Sequence, residues 1–225
     1  MACATPSLGT QSSPLRISRR RVITGLGAAW SLILPGSAWA AKEPLIRRGT
    51  PQLTLGPFYP LDRPPEEDAD LTRIAGQPGQ AQGTIMELTG RVLSEAGLPV
   101  SGALIDLWQT NGLGRYHHPS DTTGRPYDPN FQGAAVIRAD AEGRYWIRTV
   151  VPMPYERRQR HIHFDVRGKR RRLMTQMFFP GEPNERDTLY PALQSAKLQA
   201  AVTAQAMGER EGVRLYRWDI VLAGE

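Results

Sequence analysis

The sequence predicts an all-β fold: a β-sandwich core of short strands with an extended N-terminal arm and one late helix. In 225 residues, 22 glycines and 19 prolines favour frequent turns over long helices. From residue 86 onward, short apolar stretches alternate with turn residues, which is typical of strands in a sandwich. Only residues 188–207 space their leucines as a helix does.

Residues 1–40 have the layout of an export signal. Three arginines at 19–21 precede a charge-free run over 22–40, which ends in the small-residue cleavage pattern Ala38-Trp39-Ala40. The paired arginines indicate the twin-arginine route, so we expect a periplasmic protein without membrane attachment once the signal is cleaved. An uncleaved anchor is the alternative, but glycines and a proline interrupt the apolar run.

Charge and cysteine usage exclude several functions. Residues 1–40 carry four arginines and no acidic residue, so their removal lowers the net charge from +6 to +2. A nucleic-acid partner is therefore not expected, and the basic run at 169–172 is interpreted as a solvated loop. The only cysteine, Cys3, falls within the signal, which leaves no disulfide, thiolate ligand or cysteine nucleophile.

The remaining chain divides into an arm and a sandwich domain. Residues 41–84, rich in proline, glycine and acidic side chains, are predicted to lie over the domain formed by residues 85–225. The arm has the length to reach a neighbouring copy, and the sequence leaves a homo-oligomer open. Strands are predicted at 86–94, 103–110, 134–138, 145–151, 160–167, 173–179 and 213–222. The turn residues at 140–143 predict a hairpin between the third and fourth of these.

A His-x-His pair lies at the start of the fifth predicted strand. In an extended chain His161 and His163 face the same side, whereas Ile162 and Phe164 turn toward apolar packing. Two parallel imidazoles on a rigid strand provide half of a metal site. From the residues alone, however, a lone pair of this kind on a strand is more often structural or at the surface than metal-bound.

Tyrosine is the candidate that completes this site. His117 and His118 are adjacent, so at most one of them joins it, and Asp165 lies further along the strand. Tyr155 precedes His161 by six residues, behind a proline turn. A phenol with a pKa near 10 binds most divalent metals poorly, but a hard trivalent cation deprotonates its ligand, which points to Fe(III).

Several segments extend this pattern over most of the chain. They are 56–59, 88–92, 97–103, 107–111, 114–116, 154–155, Arg158 with 161–164, 175–179 and 219–222. In this order they resemble the intradiol ring-cleavage dioxygenases, and most of all the protocatechuate 3,4-dioxygenase branch. The resemblance implies an enzyme that cleaves a catechol-type ring with O₂ to a cis,cis-muconate-type diacid in aromatic catabolism.

The resemblance also assigns roles to individual residues. It implies that Tyr116, Tyr155, His161 and His163 bind Fe(III), with Tyr155 and His163 axial and Tyr155 displaced by the catechol. Arg158 is implied to face the substrate as a catalytic residue. The implied pocket residues are Gln176 beside it and Pro57 and Tyr59 at the mouth.

Alternatives remain for the arginine, the substrate and the function. Arg158 has a plain salt bridge to Asp165 or Glu156 as its alternative role. Arg157 stands where the protocatechuate enzymes carry an aromatic residue, so the catechol is not specified. An exported, non-catalytic β-sandwich binding module is the competing function. A zinc or copper hydrolase is the other alternative, but it lacks a clear third nitrogen or carboxylate ligand.

Overall fold

The computed structural model describes residues 48–61 and 68–225, so the expected export signal lies outside the described residues. Within these ranges nine strands form: β1 (Ile85–Ser94), β2 (Leu104–Trp108), β3 (Ala134–Arg138), β4 (Arg144–Val150), β5 (His161–Arg167), β6 (Arg172–Phe178), β7 (Gln205–Arg210), β8 (Val213–Arg217) and β9 (Ile220–Leu222). A short helix, α1 (Ala196–Ala201), precedes β7. Within this described part, no helix combines the length and hydrophobicity needed to span a membrane.

The strands form two sheets. Sheet A has the order β4-β1-β8-β7, and β9 pairs with the second half of β1. Sheet B has the order β3-β2-β5-β6, with all of its neighbours antiparallel. The predicted all-β sandwich is therefore confirmed.

The apolar core consists of buried side chains from both sheets. Sheet A contributes Leu88 and Ile147, and sheet B contributes Ile105 from β2 together with Ile162 and Phe164 from β5. The predicted alternation in β5 is confirmed, since its even-numbered apolar residues enter this core. On the other face of β5 the side chains of His161 and His163 are also buried, so this strand positions the candidate site.

The predicted hairpin around residues 140–143 is wrong. A tight turn does form, with the Gly143 N–H donating to the Asp140 carbonyl at 3.0 Å. However, β3 pairs with β2 and β4 pairs with β1, so the chain crosses from one sheet to the other. The turn chemistry was visible in the sequence, but the long-range partner of each strand was not.

The late helix is much shorter than its predicted span of 188–207. Ser195 caps α1 by accepting the Leu198 N–H at 3.2 Å. The helix ends because the chain on either side of Thr203 pairs with β6: the Phe178 N–H donates to Val202, and the Ala204 N–H donates to Phe178. Residues 205–207, expected to be helical, instead form the first half of β7 (Gln205–Arg210), which pairs with β8.

Two further features bear on the site. The single strand predicted at 213–222 is divided into β8 and β9, both parallel to β1. The described part of the arm makes backbone hydrogen bonds to both sheets, from Thr50 to Val221 and from Leu53 to Met174. These bonds bring the segment after Leu53 to the histidine face of β5.

Candidate metal centre

His161 and His163 project from the start of β5 onto the same face, as predicted. Their Nε2 atoms lie 3.1 Å apart, and both side chains are buried. Ile162 and Phe164 fix the strand from its other face by packing in the core. The register of one well-packed strand therefore sets the separation of the two imidazoles.

The ring of His163 is held by its neighbours on both sides. Trp108 and Gln176 lie opposite it on the adjoining strands. The Trp108 indole stacks on the imidazole with centroids 4.8 Å apart and planes at 9°. Gly56, with a φ of +77°, approaches from the arm, and a Cβ there would lie only 2.9 Å from His163 Cε1. Glycine is needed there both for this φ and for the close approach.

Tyr116 brings a third donor atom to the pair. Its Oη lies 3.1 Å from His163 Nε2 and 3.3 Å from His161 Nε2. The residue belongs to the connection between β2 and β3, and its buried ring stacks on Phe58 with centroids 4.8 Å apart. Sequence reasoning did not single out Phe58, although it lies within the aromatic segment at 56–59 that carried part of the resemblance.

Tyr155 lies beside these three side chains. Its ring meets Tyr116 edge-on at 5.2 Å between centroids, and its centroid is 5.7 Å from that of His161. All four predicted ligand residues therefore come together, two from β5 and two from loops.

Two polar side chains hold the tyrosine loops in place. Asp121 accepts the backbone N–H of Tyr116 at 2.7 Å. The Arg125 Nη1 group donates to the carbonyl oxygens of Leu113, at 3.4 Å, and Pro154, at 2.9 Å. One guanidinium therefore joins the Tyr116 loop to the Tyr155 loop. Nothing in the local sequence indicated either role.

The chain turns sharply between Tyr155 and Arg158. The Arg158 N–H donates to the Tyr155 carbonyl at 2.8 Å. Glu156, at the turn, has a φ of +47°, which is uncommon for a residue with a side chain. This turn presents both Tyr155 and Arg158 to the site.

Arg158 lies between two polar groups. Its Nε donates to Asp187 Oδ2 at 3.0 Å and Oδ1 at 3.2 Å, and its Nη2 donates to Gln176 Oε1. The guanidinium is largely buried, and the Asp187 side chain is fully so. Arg158 does form a salt bridge, but with Asp187 and not with either partner expected from the sequence.

Asp165 and Glu156 are not the partners of Arg158. Asp165 is buried and is bridged by Arg167 at 2.7 Å and by Arg172 at 2.8 Å. These arginines flank the turn between β5 and β6, so the ion pairs stabilise that hairpin. They also lower the pKa of the Asp165 carboxyl, although burial alone would raise it.

The remaining predicted pocket residues differ in their surroundings. Gln176 donates to the Thr54 carbonyl at 2.9 Å, which ties β6 to the arm. The Tyr59 hydroxyl donates to Asp106 Oδ2 at 2.7 Å, and its ring meets Trp108 edge-on. Pro57 is exposed on the same arm segment.

Arg157 and Arg160, which lie on either side of Arg158 in the loop before β5, contribute less to the site. Arg160 pairs with Glu182 at 3.0 Å and donates to the Pro152 carbonyl at 2.8 Å. It therefore acts as a support for the loop. Arg157 is exposed.

Burial controls the protonation of the four central side chains. Burial, followed by the charge of Arg158, lowers the pKa of His161 to about 3, while the Gln159 carbonyl and the charge of Asp187 oppose the shift. Burial also lowers the pKa of His163 well below its ordinary value. Burial raises the pKa of both Tyr116 and Tyr155. Without a cation the imidazoles are therefore neutral and the phenols protonated.

This donor set fits a hard metal ion. The Nδ1 of His161 donates to the Gln159 carbonyl at 2.6 Å, so its Nε2 presents a lone pair toward Tyr116 and His163. Separations of 3.1–3.3 Å are those of neighbouring ligands about 2 Å from one ion. Across residues 48–61 and 68–225, no group of three or more His, Cys, Asp or Glu side chains is placed to hold a metal ion.

Known proteins are similar to this chain in both sequence and fold. The sequence model of the family described as Dioxygenase matches residues 55–224, which is most of the chain. The chain belongs to the intradiol ring-cleavage dioxygenase family. It is 40% identical over 169 residues to the protocatechuate 3,4-dioxygenase beta chain of Burkholderia cepacia, covering 70% of this chain and 72% of that one. The predicted resemblance to this branch, and the enzyme class it implies, are confirmed.

More distant members extend the comparison. The chain is 31% identical over 183 residues to catechol 1,2-dioxygenase 2 of Acinetobacter lwoffii, covering 69% of this chain and 63% of that one. Among solved structures, it is similar to the dioxygenase domain of a dioxygenase–carbohydrate-binding protein fusion from Streptomyces sp. SirexAA-E. That similarity has a TM-score of 0.58 and 28% identity, and it covers 78% of this chain and 99% of that domain.

Proposed function

We propose that this intradiol dioxygenase is a non-haem Fe(III) enzyme that cleaves a catechol-type ring with O₂ to a cis,cis-muconate-type diacid. Its role would be in aromatic catabolism. The observation that carries the proposal is the triangle of Tyr116 Oη and the Nε2 atoms of His161 and His163, with Tyr155 beside it. These four side chains would hold the iron.

Bound Fe(III) would supply Lewis acidity and draw electron density from a catechol held through its oxygens. The protein's part is to receive protons and stabilise charge. Tyr155 would be a phenolate while it holds the cation, and once it no longer holds the cation its Oη would take up a proton from a catechol hydroxyl. Arg158 cannot lose its own proton, and its planar fork suits negative charge that develops on the ring oxygens.

Aromatic side chains shield the reacting groups from water. Phe58 packs on both Tyr116 and Tyr155, with centroids 4.8 and 5.7 Å away, and Trp108 covers His163. A site closed in this way strengthens electrostatic interactions and excludes hydrolytic side reactions. Gln176 and Arg158 are the polar groups expected to meet the substrate.

Oxygen uptake tests the proposal directly. Purified protein is supplied with catechol, protocatechuate, hydroxyquinol and chlorocatechols, while product absorbance separates intradiol from extradiol cleavage. We expect stoichiometric iron, a red-brown colour from tyrosinate-to-iron charge transfer, and intradiol products from at least one catechol. A colourless, fully iron-loaded protein contradicts the ligand set. A colourless, iron-free protein without oxygen uptake supports a binding module, and a colourless hydrolase inhibited by EDTA supports the zinc or copper alternative.

Export is a separate part of the proposal. We expect residues 1–40 to direct the enzyme to the periplasm through the twin-arginine pathway, with cleavage after Ala40. Cell fractionation tests this, with a variant in which the arginines at 19–21 are replaced by lysine. The parent is expected in the periplasm and the variant in the cytoplasm. An equal distribution of the two proteins contradicts the proposal.

A further inference from the structure

We propose that Asp187 is a positioning residue that orients Arg158 directly and His161 through the peptide group of Gln159. This inference rests on the proposed function, because it assigns to Asp187 the placement of a catalytic arginine and a metal ligand. Asp187 follows the 3₁₀ turn Asn184–Arg186, and no motif in the surrounding sequence marks it as a site residue or as a partner of Arg158.

The Asp187 carboxylate is completely enclosed by donors. Oδ2 accepts from Arg158 Nε at 3.0 Å and from the Gln159 N–H at 2.7 Å. Oδ1 accepts from Arg158 Nε at 3.2 Å and from the N–H groups of Leu189, at 2.8 Å, and Tyr190, at 3.3 Å. Because the side chain is fully buried, these bonds replace its hydration.

The orientation of the guanidinium follows from this contact. Arg158 Nε is fixed by Asp187, and Nη2 on the same edge of the fork donates to Gln176. These two contacts fix the plane of the fork, and they leave its other edge for negative charge in the site. Without the Asp187 carboxylate, the Arg158 guanidinium would remain charged, but its orientation would no longer be fixed.

The same carboxylate also reaches a metal ligand. The Gln159 N–H is held by Asp187, while the Gln159 carbonyl accepts from His161 Nδ1 at 2.6 Å. A chain of two hydrogen bonds through one residue therefore runs from Asp187 to the imidazole. Partners that hold the second nitrogen of a metal-bound histidine fix the ring orientation and its basicity.

An amide cannot reproduce this arrangement. Both carboxylate oxygens of Asp187 accept N–H groups, so the substitution Asp187→Asn would point an NH₂ group at one set of donors. The charge of Asp187 also opposes the effect that Arg158 has on His161, as their opposite influences on the pKa of the imidazole indicate. The position therefore requires a carboxylate.

The test compares Asp187→Asn and Asp187→Glu with Glu182→Gln. Glu182 is a matched control, since it pairs with the neighbouring Arg160 at 3.0 Å and lies outside the site. In iron-loaded protein the measurements are kcat, KM and the wavelength of the tyrosinate charge-transfer band. In metal-free protein, NMR follows the exchange of the His161 Nδ1 proton.

For Asp187→Asn we expect kcat to fall about 10- to 100-fold, with KM changed less than about threefold. The charge-transfer band shifts, and the His161 Nδ1 proton exchanges faster. Asp187→Glu keeps the charge and gives a smaller loss of kcat, while Glu182→Gln matches the parent in all measurements. A purely structural Asp187 would lower the unfolding temperature without moving the band.

Two further results would overturn the inference. One is an Asp187→Asn variant with the kcat, band and proton exchange of the parent. If that variant does not fold, an Asp187→Glu variant identical to the parent in all three measurements has the same consequence. A parent enzyme without iron-dependent ring cleavage would refute the proposed function instead. Proton exchange in the metal-free protein would still test the link to His161.

Discussion

The two halves of the candidate metal centre are built differently. His161 and His163 come from consecutive same-face positions of β5, a strand whose other face is buried in the core. Tyr116 and Tyr155 come from loops separated by 39 positions in the sequence, and hydrogen bonds hold them there. The strand half is fixed by register, and the loop half is fixed by a few specific polar contacts.

This difference predicts how each half responds to substitution. A strand tolerates loss of one side chain because its backbone pairing and core packing remain. The tyrosine loops are expected to lose their geometry when a guanidinium or carboxylate that bonds directly to their backbone is removed, because no repeating pattern replaces that contact. Changes in the strand half should therefore remove the metal, and changes in the loop half should misplace it.

The largest effect is expected for His163→Ala. The Nε2 atom of His163 is 3.1 Å from His161 Nε2 and 3.1 Å from Tyr116 Oη. Its loss therefore removes one of the three donor atoms of the triangle. We expect iron per chain to fall below about a tenth, with activity reduced at least about 100-fold. Circular dichroism should still report a β protein. Metal analysis and visible absorption check the result.

His117→Ala is the matched control for this variant. The His117 ring packs against Tyr127, and its removal should leave iron content and colour unchanged. Full iron binding by His163→Ala would contradict the assignment of the strand half.

Tyr116→Phe tests the loop half with a smaller structural change. The ring remains stacked on Phe58, so only the hydroxyl is lost. We expect most of the charge-transfer absorption and activity to disappear, while the histidines retain part of the iron. Tyr145→Phe is the control, because Tyr145 donates to the Trp218 carbonyl inside the core. That variant should lose about 1 kcal/mol of stability and keep its colour. If Tyr116→Phe keeps both colour and activity, Tyr116 serves only in packing.

The same difference explains what the sequence predicted. The face of His161 and His163 followed from strand periodicity alone, and the alternation of Ile162 and Phe164 supported it. Tyr116 could be assigned only through the family resemblance, because its approach to β5 depends on a connection of about 25 residues. Local sequence patterns do not specify contacts between residues that lie this far apart in the chain.

Errors in the fold prediction have the same origin. The turn at 140–143 was recognised, but only long-range pairing decides whether its flanking strands share a sheet. Residues 205–207 carried a helical pattern, and pairing with β8 overrode it. Asp187 could not be found from the sequence, since nothing local links it to Arg158, 29 positions earlier.

An intermediate effect is expected for Arg125→Met. This change removes the bridge between the carbonyl oxygens of Leu113 and Pro154 while keeping an unbranched side chain. We expect kcat/KM to fall about 10-fold, because the tyrosines would keep their hydroxyl groups but lose their correct orientation toward the other reacting groups. The free energy of unfolding should drop by about 1–3 kcal/mol.

Steady-state kinetics and denaturant unfolding check this prediction. Arg138→Met, at an exposed position on β3, controls for loss of an arginine and should retain the parent kcat/KM. An Arg125→Met enzyme with parental kinetics would show that the loops keep their geometry without the bridge.

The last effect concerns stability and not activity, namely the pH dependence of unfolding of the metal-free protein. The pKa of His161 is about 3 in the folded chain, and that of His163 is well below its ordinary value of 6.5. At pH values between these lowered pKa values and 6.5, the unfolded chain binds more protons than the folded chain. The free energy of unfolding therefore falls as the pH drops. From pH 7 to pH 5 we expect a decline that approaches about 1.4 kcal/mol per pH unit for each histidine.

Thermal unfolding of metal-free variants separates the two halves once more. Replacing both His161 and His163 by Gln should flatten the decline between pH 7 and pH 5, because glutamine does not titrate. Tyr116→Phe should keep it, since burial places the pKa of that phenol far above this range. If the double variant retains the parental slope, other groups control the titration, and the strand half does not determine how the metal-free fold responds to acid.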